Sequence, residues 1–384
     1  MSWAIWITGL PGSGKSVLAR ATAAELRAGG APVVVLELDE IRKIVTPSPT
    51  YSDTERDVVY HALVYMAAAL TESGTPVIID ATAHRRAWRE LARQLVPRFA
   101  EVQLFCPLEV CRERERQRMH GNAPSRIYER AGRPGALVPG VDVPYEPSLL
   151  AELAVDTRLE VSSIAVRKIV ALARQLAEPS GPGVGAPAVG WAIWITGLPG
   201  SGKTTLAWGA AEALAARSVR VRVLELAEMR RALLGDHPES DATREIVHRA
   251  LAYTAKLLTE AGVAVIVDAT SPRRAWRELA RDLITHFAEV QLVCPREICF
   301  ERERATRWGL GPQQSEPHSF RPATDAPDIV LDYEQALCPE LTLHTDIHGL
   351  RGTLEELLRL ALRLHSAATV ETCSPSSRRL SASS

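Results

Sequence analysis

The chain carries almost no net charge. Its 45 Lys+Arg are balanced by 46 Asp+Glu, leaving −1 at pH 7, so bulk attraction to nucleic acid or to an anionic membrane is not expected. It also lacks any apolar run approaching the roughly 18–20 residues that a membrane helix needs. The opening residues lead straight into an apolar segment, without the basic start and small-residue cleavage site of a secretory signal. Cysteine is scarce, six residues with none in a C-x-x-C spacing, which suits a reducing compartment better than a disulfide framework. No histidine cluster accompanies them, so Cys106, Cys111, Cys294 and Cys299 read as small buried residues around a strand end and a helix start. These absences lead us to expect a cytoplasmic protein with no membrane partner. Its 384 residues suffice for two domains, each with its own core.

What is present is a phosphate loop, and it is present twice. Gly9, Leu10, Pro11, Gly12, Ser13, Gly14, Lys15 and Ser16 follow an apolar run that reads as a buried strand, and precede a helical pattern. That context separates a phosphate loop from a chance glycine-rich turn. Such glycines let backbone N–H groups curl around a phosphate, with the positive end of the new helix aimed at the same anion. Lys15 is then expected to reach the β- and γ-phosphates, and the Ser16 hydroxyl to ligate Mg²⁺. The thirteen residues from Trp3 to Lys15 recur verbatim from Trp191 to Lys203. The second loop is therefore Gly197, Leu198, Pro199, Gly200, Ser201, Gly202, Lys203 and Thr204, with Thr204 as its Mg²⁺ hydroxyl.

The repeat extends well beyond the loops. Adding 188 to a position in the first half reaches its counterpart without a gap from Trp3/Trp191 to Tyr145/Tyr333, and RRAWRELAR stands at both 85–93 and 273–281. Units this long are whole domains rather than solenoid repeats. We expect one domain over 1–178, a Pro/Gly-rich linker over 179–190, a second domain over 191–365 and a disordered polar tail over 366–384. Within each domain apolar runs alternate with helical patterns, so the fold class is α/β: a parallel sheet with helices on both faces. Ligands of such sheets sit beyond the carboxyl ends of the strands. The loop, Asp39, Asp80 and the segment after Cys106 should converge there.

Several side chains are candidates for chemistry. Asp39, read as closing the second strand, could take a proton from an attacking hydroxyl or help hold Mg²⁺ through water, or could simply cap the next helix. Its counterpart is Ala227. Arg42 and Arg56, repeated as Arg230 and Arg244, suit phosphate or sulfate recognition; the competing reading is a solvated helix face. Asp80, repeated as Asp268, could stand near Mg²⁺ or cap the helix that follows. The run CRERERQR at 111–118 reads mostly as an exposed helical face, with an arginine or two for a lid, while Trp88 and Trp276 read as core.

With these residues assembled, each unit resembles the adenylyl-sulfate kinase family. The resemblance rests on the phosphate loop, LELDEIR at 36–42, YSDTER at 51–56, PLEVCRERE at 107–115 and GVDVPYEP at 140–147. It implies transfer from ATP, with Mg²⁺, to the 3′-hydroxyl of adenosine 5′-phosphosulfate. It further implies that Arg42 and Arg56 hold the phosphosulfate, Asp39 is the catalytic carboxylate, Tyr51 meets the substrate adenine and Arg114 lies on the ATP side. The family's I-S-P serine falls on Ala83 in the first unit and on Ser271 in the second. PVIIDAT followed by arginines also resembles a broader group of phosphate-loop kinases that act on polynucleotide ends, sugars or other hydroxyls. The second unit, with Ala227 for Asp39 and Glu239 for Tyr51, is expected to bind nucleotide but to transfer weakly, as a regulatory partner that could pair within or between chains.

Overall fold

The computed structural model describes residues 2–117, 127–133, 136–177, 189–307 and 333–373. Two separate five-stranded parallel sheets organise it. In the first repeat the elements run β1 (Ala4–Thr8), α1 (Lys15–Ala28), β2 (Val34–Glu37), α2 (Leu38–Val45), α3 (Asp53–Glu72), β3 (Val77–Asp80), α4 (Arg86–Leu95), β4 (Phe99–Phe105), α5 (Leu108–Gln117), β5 (Leu153–Asp156) and α6 (Ser162–Leu176). The sheet order is β2-β3-β1-β4-β5, so the strand leading to the phosphate loop is central.

β1 is buried along its whole length, as an almost wholly apolar run in a doubly covered sheet should be, and its one polar side chain, Thr8, is hydrogen-bonded. Its alternate side chains serve two cores. Ile5 and Ile7 pack with Leu18 of α1 and Ile169 of α6. Trp6 points to the other face, stacks near Tyr60 of α3 and donates its indole N–H to Ala81 O at 3.0 Å. Tyr60 in turn stacks on Trp88 of α4 with ring centroids 3.9 Å apart. Truncating Trp6 to alanine would cost about 3–5 kcal/mol.

The second repeat follows the same plan: β6 (Ala192–Thr196), α7 (Lys203–Ala215), β7 (Val221–Glu225), α8 (Leu226–Leu234), α9 (Asp241–Glu260), β8 (Ala264–Asp268), α10 (Arg274–Leu283), β9 (Phe287–Val293), α11 (Arg296–Arg307), β10 (Leu341–His344) and α12 (Gly349–Cys373). Its sheet, read from the edge opposite β10, is β7-β8-β6-β9-β10. By proximity the chain divides into two compact units, the first of which takes in Arg230–Ala250.

Several boundaries differ from those expected. β2 stops at Glu37, whose register partner Asp80 is also the last residue of β3. Without a neighbour to pair with, the chain turns into α2, which buries Leu38, Ile41 and Val45. Asp39 therefore lies in the first turn of α2; the cap position is Glu37, so neither the strand end nor the helix cap is its place. Asp80 caps nothing either, since α4 begins at Arg86 with Arg85 at its cap. The helical face expected around 111–118 turns Cys111 and Glu115 inward. α12 runs to Cys373, past the point where a disordered tail was expected, because Ser366–Cys373 contains no proline or glycine and Ala368 is buried. The expected linker, apart from Val189 and Gly190, and the tail beyond Cys373 lie outside the described residues. Among the described residues no helix is long and apolar enough to cross a membrane.

Candidate active site

The phosphate loop leaves β1 through glycines that no other residue could replace without strain. Gly12 has φ 79°, and a Cβ there would lie 2.5 Å from Cys111 O. Gly14, at the cap of α1, has φ 99°, a left-handed value that side chains rarely adopt. The second loop repeats this, with Gly200 pressed against Cys299 O and Gly202 at φ 96°. Leu10, Pro11 and Ser13 carry the first turn, where Ser13 N bonds Leu10 O at 3.0 Å, and Ser201 and Leu198 match it at 3.1 Å. Lys15 Nζ donates to Gly9 O at 3.1 Å and Leu10 O at 3.0 Å; Lys203 bonds Gly197 O and Leu198 O at 3.1 and 2.9 Å. Pro199 occupies the place of Pro11.

At least one carboxylate stands beside each lysine. Asp80 is the last residue of β3 and register partner of Ile7 on β1, which sets it beside the loop. It is hydrogen-bonded to Ser16, and burial raises its pKa while the Lys15 charge opposes the rise. Burial lowers the Lys15 pKa, against the pull of Asp80 first and Asp39 second. In the second repeat Thr204 Oγ1 donates to Asp268 Oδ2 at 2.5 Å, and burial likewise raises the Asp268 pKa. Asp39 is half-buried and close enough to act on both Lys15 and Asp80. Ala227 offers no such charge.

Arg42, Tyr51 and Arg56 form one cluster. The Arg42 guanidinium lies 5.3 Å from the centroid of the Tyr51 ring, and Arg56 Nε donates to Tyr51 O at 3.1 Å. Tyr51 adopts φ 56°, a conformation that needs outside support. Glu55 supplies it: this buried carboxylate accepts from Thr50 N at 2.6 Å, from Tyr51 N at 3.3 Å and from Arg42 Nη1 at 3.2 Å. The Arg42 side chain is only 11 % exposed, which rules out a solvated face. Arg56 also reaches Leu137 O at 3.2 Å, and burial lowers its pKa.

Arg114 spans the ends of β4 and β5. It donates to Thr157 Oγ1 at 3.2 Å, Thr157 O at 2.8 Å and Cys106 Sγ at 3.6 Å. Arg302, Thr345 and Cys294 repeat the arrangement. Cys106 is therefore an acceptor as well as a small residue, and Cys111, buried beneath Gly12, has its thiol pushed up to about 12. Tyr128 closes this side by donating to Pro11 O at 2.8 Å.

GVDVPYEP turns out to be a strap. Tyr145 Oη lies 2.9 Å from Thr8 Oγ1, and Glu146 accepts from Arg86 N at 2.7 Å. Arg89, fully buried in α4, donates to Glu146 O at 2.6 Å and pairs with Glu101 of β4 at 2.7 Å. Tyr333, Glu334, Arg277 and Glu289 repeat each of these bonds. That explains why the diverged second unit retains this tyrosine and glutamate. Ser271, like Ala83, sits at a positive φ and is buried; its carbonyl accepts from Arg277.

Glu55, Thr157 and Tyr128 escaped the sequence reading. Thr157 had a signal, its counterpart Thr345 at the repeat offset; Glu55 had one in the capping spacing Ser52-x-x-Glu55.

The family model described as adenylylsulphate kinase matches residues 1–156 and again 189–310. The probable adenylyl-sulfate kinase of Archaeoglobus fulgidus is 36% identical over 159 residues, 41% of this chain and 97% of that protein. The adenylyl-sulfate kinase of Bacillus licheniformis is 38% identical over 157 residues, 40% of this chain and 75% of its own. Among solved structures, the Mycobacterium tuberculosis APS kinase CysC in complex with AMPPNP and APS is 29% identical, covering 45% of this chain and 98% of that one with a TM-score of 0.36.

Proposed function

Because the chain belongs to the adenylylsulphate kinase family, and is a phosphotransferase, we propose that its first repeat transfers the γ-phosphate of ATP to the 3′-hydroxyl of adenosine 5′-phosphosulfate. The product is 3′-phosphoadenosine 5′-phosphosulfate. The observation that carries this reading is the Arg42–Tyr51–Arg56 cluster in the same repeat as an intact phosphate loop and Asp39.

In this reading the backbone N–H groups of Gly9–Ser16 cradle the phosphates, and Lys15 leaves its own loop carbonyls to meet the γ-phosphate. Arg42 and Arg56 clamp the anionic end of the acceptor, Tyr51 lies against its base, and Asp39 orients or deprotonates the hydroxyl. The reaction is an in-line displacement: the 3′-oxygen bonds to phosphorus as the bond to the ADP oxygen breaks, and Asp39 takes the proton. Arg114 lies on the nucleotide side. The donors near each loop fit a magnesium ion, since they are oxygens only, a hydroxyl on Ser16 or Thr204 bonded to Asp80 or Asp268. Ser16 and Thr204 would hold the ion, which when bound neutralises phosphate charge.

The second repeat is read as a nucleotide-binding domain with little transfer of its own, on the strength of Ala227. The test is labelled-ATP transfer by the full chain, with adenosine phosphosulfate set against polynucleotide ends, sugars and other hydroxyl compounds. Phosphorylation of another acceptor, with none of adenosine phosphosulfate, would move the reading to the broader phosphate-loop kinases.

A further inference from the structure

In the second repeat the arginine pair is already answered by an internal carboxylate. Arg230 and Arg244 stand where the first repeat has Arg42 and Arg56, and Glu239 stands where it has Tyr51. Glu239 Oε1 accepts from Arg244 Nε at 3.0 Å, while its Oε2 lies 3.5 Å from Arg230 Nη1. Asp241 takes a second donor of Arg244 at 2.9 Å.

The first repeat distributes its charges differently. Glu55 pairs with Arg42 and spends its remaining lone pairs on Thr50 and the Tyr51 amide. The hydrogen bonds of Arg56 go to carbonyl oxygens, those of Tyr51 and Leu137. Asp53, the counterpart of Asp241, pairs with Arg85 instead. Among the described residues, the hydrogen-bonded carboxylate partner of the arginine pair is Glu55 in the first repeat, whereas Glu239 and Asp241 both bond the pair in the second. The first cluster keeps an excess positive charge for an incoming anion, whereas in the second an anion would have to displace Glu239.

A simpler account holds that Arg230 merely needs a new partner, because Thr243 replaces Glu55. Thr243 does close a reciprocal capping box with Ser240, at 3.2 and 2.8 Å, and carries no charge. That accounts for one ion pair. It does not account for Glu239 bridging to Arg244 as well, the arginine whose counterpart Arg56, among the described residues, hydrogen-bonds carbonyl oxygens.

We propose that Glu239 is a built-in counter-anion that closes the Arg230–Arg244 pair to phosphate- or sulfate-bearing acceptors. This rests on reading Arg42 and Arg56 as the anion clamp of the first repeat. Glu239 then sets specificity: the Arg42–Arg56 pair takes an anionic acceptor, whereas the Arg230–Arg244 pair does not.

The test is equilibrium dialysis of radiolabelled inorganic sulfate against the full chain, with MgADP saturating both phosphate loops. Glu239→Gln removes the charge at constant size, and Glu239→Tyr restores the first repeat's residue. Losing one charged hydrogen-bonding competitor should tighten sulfate binding at this site by roughly tenfold or more. Each variant should therefore bind one more sulfate per chain than the parent, and adding Arg244→Ala to Glu239→Gln should abolish the gain. No gain in either variant, with circular dichroism showing both folded, overturns the proposal. So does a parent chain that already loses a bound sulfate on Arg244→Ala. Because the readout is a difference between variant and parent, it stands apart from the acceptor assigned to the first repeat, which fails only if the parent chain does not phosphorylate adenosine phosphosulfate.

Discussion

Tyr145 and Thr8 meet hydroxyl to hydroxyl at 2.9 Å, and Tyr333 and Thr196 do the same at 3.0 Å. Each pair ties the strap to the end of the strand that starts the phosphate loop. The threonine also donates to the backbone beyond β3 or β8, at 2.6 Å to Thr82 O or Thr270 O. One hydroxyl therefore joins three segments that border each site.

Tyr145→Phe should cost about 1 kcal/mol, the usual net worth of one such hydrogen bond. Glu101→Gln should cost more, about 3–5 kcal/mol, because it leaves the fully buried Arg89 guanidinium without its charge partner. Urea unfolding of the two variants against the parent checks both values, and near-equal losses would contradict the ranking.

Lys15→Ala should lower transfer by at least ~10²-fold, since a positioned cation acts where charge develops. Lys203→Ala should leave most transfer in place and weaken nucleotide binding by the second repeat. Rate measurements and nucleotide titrations on the full chain test the pair; the reverse pattern would exchange the roles of the repeats.

Asp39→Asn should reduce kcat by about 10²–10⁴, the usual range for a positioned base, with little change in ATP affinity. Arg56→Ala should instead raise the acceptor KM, because it removes binding common to the ground and transition states. Steady-state kinetics with each substrate varied in turn separates the two.

Burial holds His84 neutral, with its pKa lowered from 6.5 to about 4, and neighbouring Arg56 and Arg85 add to the effect. His248 is lowered to about 4 as well. An unfolded chain takes up these protons near pH 6.5, whereas the folded chain resists until about pH 4. Stability therefore falls as pH drops through that window, by roughly 3 kcal/mol for each histidine at full effect. Asp80 acts with the opposite sign, since its raised pKa means that stability is lost as pH climbs above 3.8. The difference between His84→Leu and the parent isolates the histidine: the variant should show a shallower acid loss in urea unfolding at pH 6.5, 5 and 4.

The fold was legible because its signals are local and doubled. Uninterrupted apolar runs, helical periodicity and the verbatim loop specify strands, helices and a parallel sheet, though not the order of its strands. Asp39 was misplaced by two residues because strand length depends on where the neighbouring strand ends, and Asp80 ends β3 opposite Glu37. Glu55 and Tyr128 were missed because their partners lie on the Tyr51 turn and the phosphate loop, contacts that no periodicity encodes. The strap was noticed as a motif without its reason, which is a buried network reaching from Thr8 to Glu101.

The near contact of Gly12 with Cys111 O has a mechanical meaning. With no side chain between them, the phosphate loop rests directly on the first turn of α5, and Arg114 lies one turn further along the same helix. The span from the loop to Arg114 is thus set by rigid backbone, like the fixed jaws of a caliper. A side chain at position 12 would not only strain the loop; it would widen the gauge. The second repeat keeps the same caliper in Gly200, Cys299 and Arg302, so the two domains should still measure the same nucleotide even where their acceptor sides have parted.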